Sequence, residues 1–239
     1  MARWRTTRSA LVLVTLGVVV ASCTGSSTST TTTAAVAATT TTTAAIGGDE
    51  MATTTAAAEP VETLPLVITP SQGEGPYYPV AKLDDQDNDL TVVSGLAGSP
   101  AGDVLLLRGQ LLMADGTPVG GGIIDIWQTD ASGIYLHPDD PGTADRDAFF
   151  QFSGEAVADA DGFWSFRTID PGYYEPRPRH VHVKVWVDER VVLTTQIYFG
   201  DDPQAAGLEE PLVASIEQGT DDAGIAVLIA EHRIVLPSG

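Results

Sequence analysis

The chain has 239 residues, with 12 basic and 32 acidic side chains for a formal net charge of −20, and a single cysteine. That charge argues against nucleic acid as a partner, and one thiol excludes a disulfide framework or a cluster of thiolate metal ligands. Neither a phosphate loop nor a dinucleotide fingerprint occurs, so nucleotide chemistry has no support.

Residues 1–22 read as a leader: Arg3, Arg5 and Arg8 precede the apolar run LVLVTLGVVVA, and small residues follow up to Cys23. The run is too short to span a bilayer comfortably. Val20-Ala21-Ser22-Cys23 resembles a bacterial lipoprotein processing site, which predicts a mature chain beginning at a lipidated Cys23. The protein is then extracytoplasmic, anchored to the outer face of the membrane or secreted. Residues 23–60 are almost entirely Thr, Ala, Ser and Gly and bury too little apolar surface to offset their ordering entropy, so they read as a disordered tether. Residues 61–239 form one domain, long enough for a substantial core.

Within that domain the candidate strands are Val104–Met113, Gly122–Gln128, Gly162–Thr168, Val181–Val187, Val192–Phe199 and Ile225–Leu236, bounded by Gly, Pro, Asp and Asn turn signals. Ala-Asp-Gly-Thr-Pro at 114–118 and Asp-Ala-Asp-Gly at 159–162 read as tight turns. Residues 203–219 have room for a short helix. The expected fold is all-β, an antiparallel β-sandwich with irregular loops. The acidic runs, such as DDQDND at 84–89, fall in loops and read as solubilising surface.

The segment HVHVKVWV places His180 and His182 two residues apart on one strand, hence on the same face of the sheet. Imidazole suits Zn, Cu and Fe alike, so the pair does not choose a metal. Phenols are also to hand: Tyr173 and Tyr174 just upstream, and Tyr135 in the turn-like Ser-Gly-Ile-Tyr. Phenolate oxygen favours a hard, highly charged cation, so two tyrosines joining the two histidines would select ferric iron.

Four stretches together resemble the intradiol ring-cleavage dioxygenases of the protocatechuate and catechol types. TPSQGEGPYYP (69–79) is similar to the family's leading segment, and GTPVGGGIIDIWQTDASGIY (116–135) to the strand and turn that deliver its first tyrosine. TIDPGYYEPRPRHVHVKV (168–185) and LTTQIYFGD (193–201) are similar to its metal segment and the strand that follows. The resemblance implies non-haem Fe(III) held by Tyr135 and His180 in the plane of the site and by Tyr174 and His182 as the axial pair. Tyr174 is preferred to Tyr173 because it lies six residues before His180. It further implies Tyr174 as general base and Arg177 and Gln196 as the active-site arginine and glutamine. The substrates would be a small aromatic diol and O2, and the product a muconate-type diacid.

The chain departs from the family in places. Arg179 stands where the family has proline or a small residue, FFQFSG (149–154) lacks its arginine-glycine pair, and no helical dimerisation segment precedes the domain. Oligomeric state is left open. His137, two residues beyond Tyr135, is either near the metal or a polar turn residue, and His232 reads as structural. A non-enzymatic surface binding module, with a structural metal or none, is the alternative, and it does not require the tyrosines to converge with the histidines. A zinc hydrolase is a third reading, disfavoured because no acidic residue is spaced to complete a His/carboxylate site.

Overall fold

The computed structural model describes residues 66–238. The leader, Cys23 and the tether to residue 60 lie outside the described residues. Eight strands follow in order: β1 Val104–Met113, β2 Ile123–Trp127, β3 Ser153–Val157, β4 Phe163–Ile169, β5 His180–Val187, β6 Arg190–Phe199, β7 Val213–Thr220 and β8 Ala226–Leu236. They hydrogen-bond in the order β3-β2-β5-β6-β7-β8-β1-β4, and the two end strands approach each other, so the sheet is nearly closed and barrel-like.

The all-β expectation holds, but the antiparallel sandwich needs correction. β1 runs parallel to β8 over nine residue pairs from Leu105↔Leu228 to Met113↔Leu236, and β6 runs parallel to β7 at Tyr198↔Val213 and Phe199↔Ala214. The sheet is therefore mixed. The β6–β7 join is only those two pairs long, and it stitches a β3-β2-β5-β6 half to a β7-β8-β1-β4 half. One core lies between the halves, with Leu105, Leu107, Phe166 and Ile234 on one side and Ile124, Ile126, Val183 and Ile197 on the other. Side chains of this kind contribute about 1.5–3 kcal/mol each when fully buried.

All six sequence-derived strands are present within a residue or two of their expected bounds. Two strands escaped detection: β3 is five residues long and contains Gly154, and only one residue of β7 is fully buried, so its sequence lacks a clear apolar alternation. The helix expected in 203–219 is corrected to two 3₁₀ turns, Pro203–Ala205 and Glu210–Leu212, followed by β7. Pro203 and Pro211 carry no backbone donor, and Gly207 at φ +90° breaks any continuous helix between them. Both predicted tight turns form, with Gly116 at φ +87° and Gly162 at φ +81°.

Two glycines set backbone spacing. At Gly109 on β1 a Cβ would sit 1.7 Å from the His232 carbonyl oxygen of the paired β8 strand, so only glycine fits. At Gly133, φ is +82° and a Cβ would meet the Tyr173 carbonyl oxygen at 2.1 Å. The loop carrying Tyr135 thereby lies directly against the loop carrying Tyr174.

The FFQFSG stretch serves the core. Phe150 and Phe152 are buried with ring centroids 4.9 Å apart, and the Gln128 N–H donates to the Phe152 carbonyl. His232 is structural in placement: it is buried on β8, and its Nε2 has no hydrogen-bond partner among the described residues. Burial lowers its pKa to about 4. Because that value is below the ordinary 6.5 of the unfolded chain, the unfolded state binds the extra proton first, and stability falls as pH drops from about 6.5 towards 4. The full loss is about 3 kcal/mol. Urea unfolding at pH 7 and pH 5 should show a smaller pH-dependent loss in His232→Leu than in the parent.

Candidate metal centre

Strand register builds one wall of the site. The β-branched alternation of HVHVKVWV makes β5 an interior strand, buried at His180 through Val183. Across the sheet His182 is level with Trp127 on β2 and with Gln196 on β6, while His180 is level with Tyr198. Residues level across neighbouring strands share a face, so these five side chains project together. A one-residue slip would turn all of them away.

Two loops complete the wall. Asp130 anchors the first by accepting from the Ser132, Ile134 and Asp147 N–H groups, and Asp140 accepts from the Tyr135 N–H at 2.8 Å. The second is joined to it where Gly172 N–H donates to the Asp130 carbonyl at 2.9 Å and Thr129 Oγ1 donates to the Gly172 carbonyl at 3.0 Å. Within the second loop the Arg177 N–H donates to the Tyr174 carbonyl, closing a turn that keeps the two side chains together.

The outcome is a convergence of three donor atoms. His180 Nε2 lies 3.2 Å from Tyr135 Oη and 3.2 Å from His182 Nε2. His180 Nδ1 is 2.6 Å from the Pro178 carbonyl oxygen, which can only accept. Nδ1 therefore carries the proton and Nε2 presents its lone pair to the site. Tyr174 stands edge-on to Tyr135 with ring centroids 5.6 Å apart, and its hydroxyl donates to Tyr77 Oη at 3.3 Å. Arg177 Nη2 donates to Gln196 Oε1 at 2.7 Å and Tyr198 Oη at 2.8 Å. Of the residues singled out from sequence, Tyr135, His180 and His182 meet at one point, and Tyr174, Arg177 and Gln196 surround it.

Electrostatics favour a cation there. Burial lowers His180 to about 4, helped by the Arg177 charge and opposed by the Pro178 carbonyl. Burial likewise holds His182 well below its ordinary value, with His180 and Arg177 adding to the effect. Both imidazoles are thus neutral ligands at neutral pH. Burial raises the Tyr135 phenol, so without a compensating positive charge it keeps its proton. Two neutral nitrogens and a desolvated phenol oxygen facing one another form a donor set that a Lewis-acidic ion satisfies. Among the described residues no group of three or more His, Cys, Asp or Glu is placed to hold a metal, so the donor set here depends on tyrosine.

A family model described as a dioxygenase matches residues 73–235, which include every residue placed in this centre above. The chain belongs to the intradiol ring-cleavage dioxygenase family. It is 34% identical over 169 residues to the protocatechuate 3,4-dioxygenase beta chain of Burkholderia cepacia, covering 66% of this chain and 68% of that one. It is 31% identical over 180 residues to catechol 1,2-dioxygenase of Acinetobacter baylyi, covering 66% of this chain but only 56% of that one. Among solved structures, the dioxygenase domain of a dioxygenase carbohydrate-binding fusion from Streptomyces sp. SirexAA-E superposes with a TM-score of 0.56 at 30% identity. That match covers 72% of this chain and 100% of the Streptomyces domain. Catechol 1,2-dioxygenase from Acinetobacter sp. ADP1 gives a TM-score of 0.53 at 27% identity, covering 71% of this chain and 62% of that one.

Against this family background the departures acquire definite places. Arg179 is turned towards a cluster of carboxylates. Its buried guanidinium pairs with Asp170, with Asp201 at 2.7 Å and with Asp202 at 3.9 Å, and its N–H donates to Asp202 at 2.8 Å. Tyr173 donates to the same Asp202, which turns it away from the donors and leaves Tyr174 as the tyrosine that faces Tyr135. The Arg177 guanidinium turns inward to Gln196 and Tyr198. His137 accepts from the Asp139 N–H and packs 5.4 Å from the Tyr77 ring, as a turn residue does.

Sequence reasoning missed Tyr198, Tyr77, Gln72 and Trp127. Tyr198 donates to Gln72 Oε1 at 2.9 Å or Gln196 Oε1 at 3.0 Å, and Trp127 stacks on His182 at 4.6 Å with the rings 9° from parallel. Period-two spacing from Gln196 would have found Tyr198; the other three had no signal of their own.

Removing the Arg179 guanidinium leaves Asp170, which burial already pushes towards its protonated form, without its cation. Breaking a buried pair from one side costs about 3–5 kcal/mol. Chemical denaturation of Arg179→Met should show a loss of that size, and Arg179→Lys, which cannot bridge three carboxylates, should recover only part of it.

Proposed function

We propose that the protein is an Fe(III)-dependent intradiol dioxygenase that opens a catechol-type ring between its two hydroxyl-bearing carbons and yields a muconate-type diacid. The observation that carries this reading is that His180 Nε2 lies 3.2 Å from both Tyr135 Oη and His182 Nε2, buried and beside Tyr174. Tyr135, Tyr174, His180 and His182 would hold the metal. Bound ferric iron would supply Lewis acidity that draws electron density from a coordinated diol, making the ring reactive towards O2. Both oxygen atoms enter the product, so the reaction needs no outside reductant. That suits a protein lipid-anchored through Cys23 outside the cytoplasm, which we propose as its location.

The chain's own groups account for the remaining work. Tyr174, as phenolate, accepts a proton from a substrate hydroxyl, and Tyr77 at 3.3 Å hydrogen-bonds its oxygen. Arg177 places a fixed positive charge beside the ring position where negative charge develops. Gln196 holds that guanidinium through Oε1, while its own Nε2 donates to the Gly73 carbonyl at 2.9 Å. The same amide therefore ties Arg177 to the segment that passes over the site.

A visible spectrum of the iron-loaded protein, taken before and after adding catechol under air, tests the reading. A broad visible band that shifts and then decays as a muconate-type ultraviolet product grows is expected. A protein that stays colourless after reconstitution with iron points instead to a surface binding module. Tyr174→Phe should keep its iron and lose about 10²–10⁴-fold in turnover, whereas His182→Ala should fail to retain iron by elemental analysis.

A further inference from the structure

The mouth of the site is roofed by residues 72–78. The Gln72 N–H donates to the Thr194 carbonyl, Glu74 pairs with Lys184 at 2.5 Å, and Tyr78 packs edge-on against Trp127 at 4.9 Å. Beneath it lies a cleft of about 310 Å³ lined by Gln72, Gly73, Gly75, Arg177, Gln196 and Tyr198. An enclosed cavity of roughly 150 Å³ accommodates a benzene ring. The cleft therefore has room for a diol ring and about as much again.

The two glycines of this lining differ in kind. Gly75 sits at φ +77°, and a Cβ there would lie 3.2 Å from His182 Cε1, so backbone and packing both require glycine. Gly73 is under neither constraint: its φ lies outside the left-handed range, and a Cβ would meet nothing within 4 Å. It is exposed at the rim. Folding would admit a side chain at 73, and the missing side chain leaves a gap leading out of the cleft.

Charge near this gap is unfavourable to an anion. Lys184 is held by Glu74 and lies over the Tyr78 ring at 3.4 Å, and Lys82 is held by Asp125 and Glu155, both at 3.0 Å. Arg179 is buried among three aspartates. Arg177 is the one cation lining the cleft among the described residues, and it is turned towards Gln196 and Tyr198 at the metal donors. A substituent leaving past Gly73 passes the neutralised Glu74–Lys184 pair on a chain of net charge −20 and finds no free cation in it.

Resting on the dioxygenase reading, we propose that the preferred substrates are catechols bearing a bulky, uncharged ring substituent that leaves the cleft through the gap at Gly73. Small carboxylated catechols are disfavoured. The preference is a property of the rim and is separable from the ring-opening chemistry.

Catechol, 4-tert-butylcatechol and protocatechuate distinguish the possibilities, measured by kcat/KM on the iron-loaded protein and by titration calorimetry on protein loaded with redox-inert gallium(III). Expected is 4-tert-butylcatechol at least equal to catechol and tenfold or more above protocatechuate, in both turnover and binding. Gly73→Leu should lower the ratio of 4-tert-butylcatechol to catechol by tenfold or more in both measurements. A preference for protocatechuate, or a ratio unmoved by Gly73→Leu, overturns the proposal while leaving the dioxygenase reading intact. If none of the three is cleaved, the dioxygenase reading fails, and the gallium binding ratios still decide whether the rim selects as proposed.

Discussion

Two buried imidazoles whose Nε2 atoms face each other at 3.2 Å are the constraint around which this protein is organised. Their burial is tolerable only if both stay neutral, and their close approach suits a positive charge placed between them. Many other features of the site secure that arrangement. The Pro178 carbonyl fixes the proton of His180, the indole of Trp127 lies flat on His182, and Tyr135 adds an oxygen that ionises readily only beside a cation.

The sheet supplies positional precision and the loops supply chemistry. Antiparallel register across β2, β5 and β6 fixes Trp127, His182 and Gln196 on one level, without reliance on any flexible segment. The tyrosines come from loops, and loops need tethering. Carboxylates do much of this: Asp130 and Asp140 fold the Tyr135 loop, and Asp202 with Arg179 holds the Tyr174 loop to the end of β6. Part of the chain's strong acidity is thus structural, with individual aspartates buried and satisfied by backbone donors, alongside the exposed carboxylates that keep the surface soluble.

Arg179 illustrates how a departure from family pattern can be a local solution. A cation next to His180 would compete with any metal held there if it faced the same way. Strand alternation and three carboxylates turn it to the opposite side, 5.6 Å from the Phe199 ring. There it compensates buried negative charge and leaves Arg177 as the cation of the cleft.

The sequence by itself determined the strands with clear alternation, the His-x-His pair and the family, because these depend on local periodicity and on motifs contiguous in the chain. It identified Tyr135, Tyr174, Arg177 and Gln196 by motif, and the structure brings these residues together around the histidines. It could not determine that β1 pairs parallel with β8, since strand direction in a sheet is set by connections more than 100 residues long rather than by any local pattern. It could not reveal Tyr77 or Gln72 as neighbours of the centre, because each becomes one only through hydrogen bonds between segments far apart in sequence. Nor could it assign Arg179 a direction, which depends on where Asp170, Asp201 and Asp202 arrive once the sheet has closed around its core. Local physics fixed which groups were present, and only long-range packing decided which of them meet.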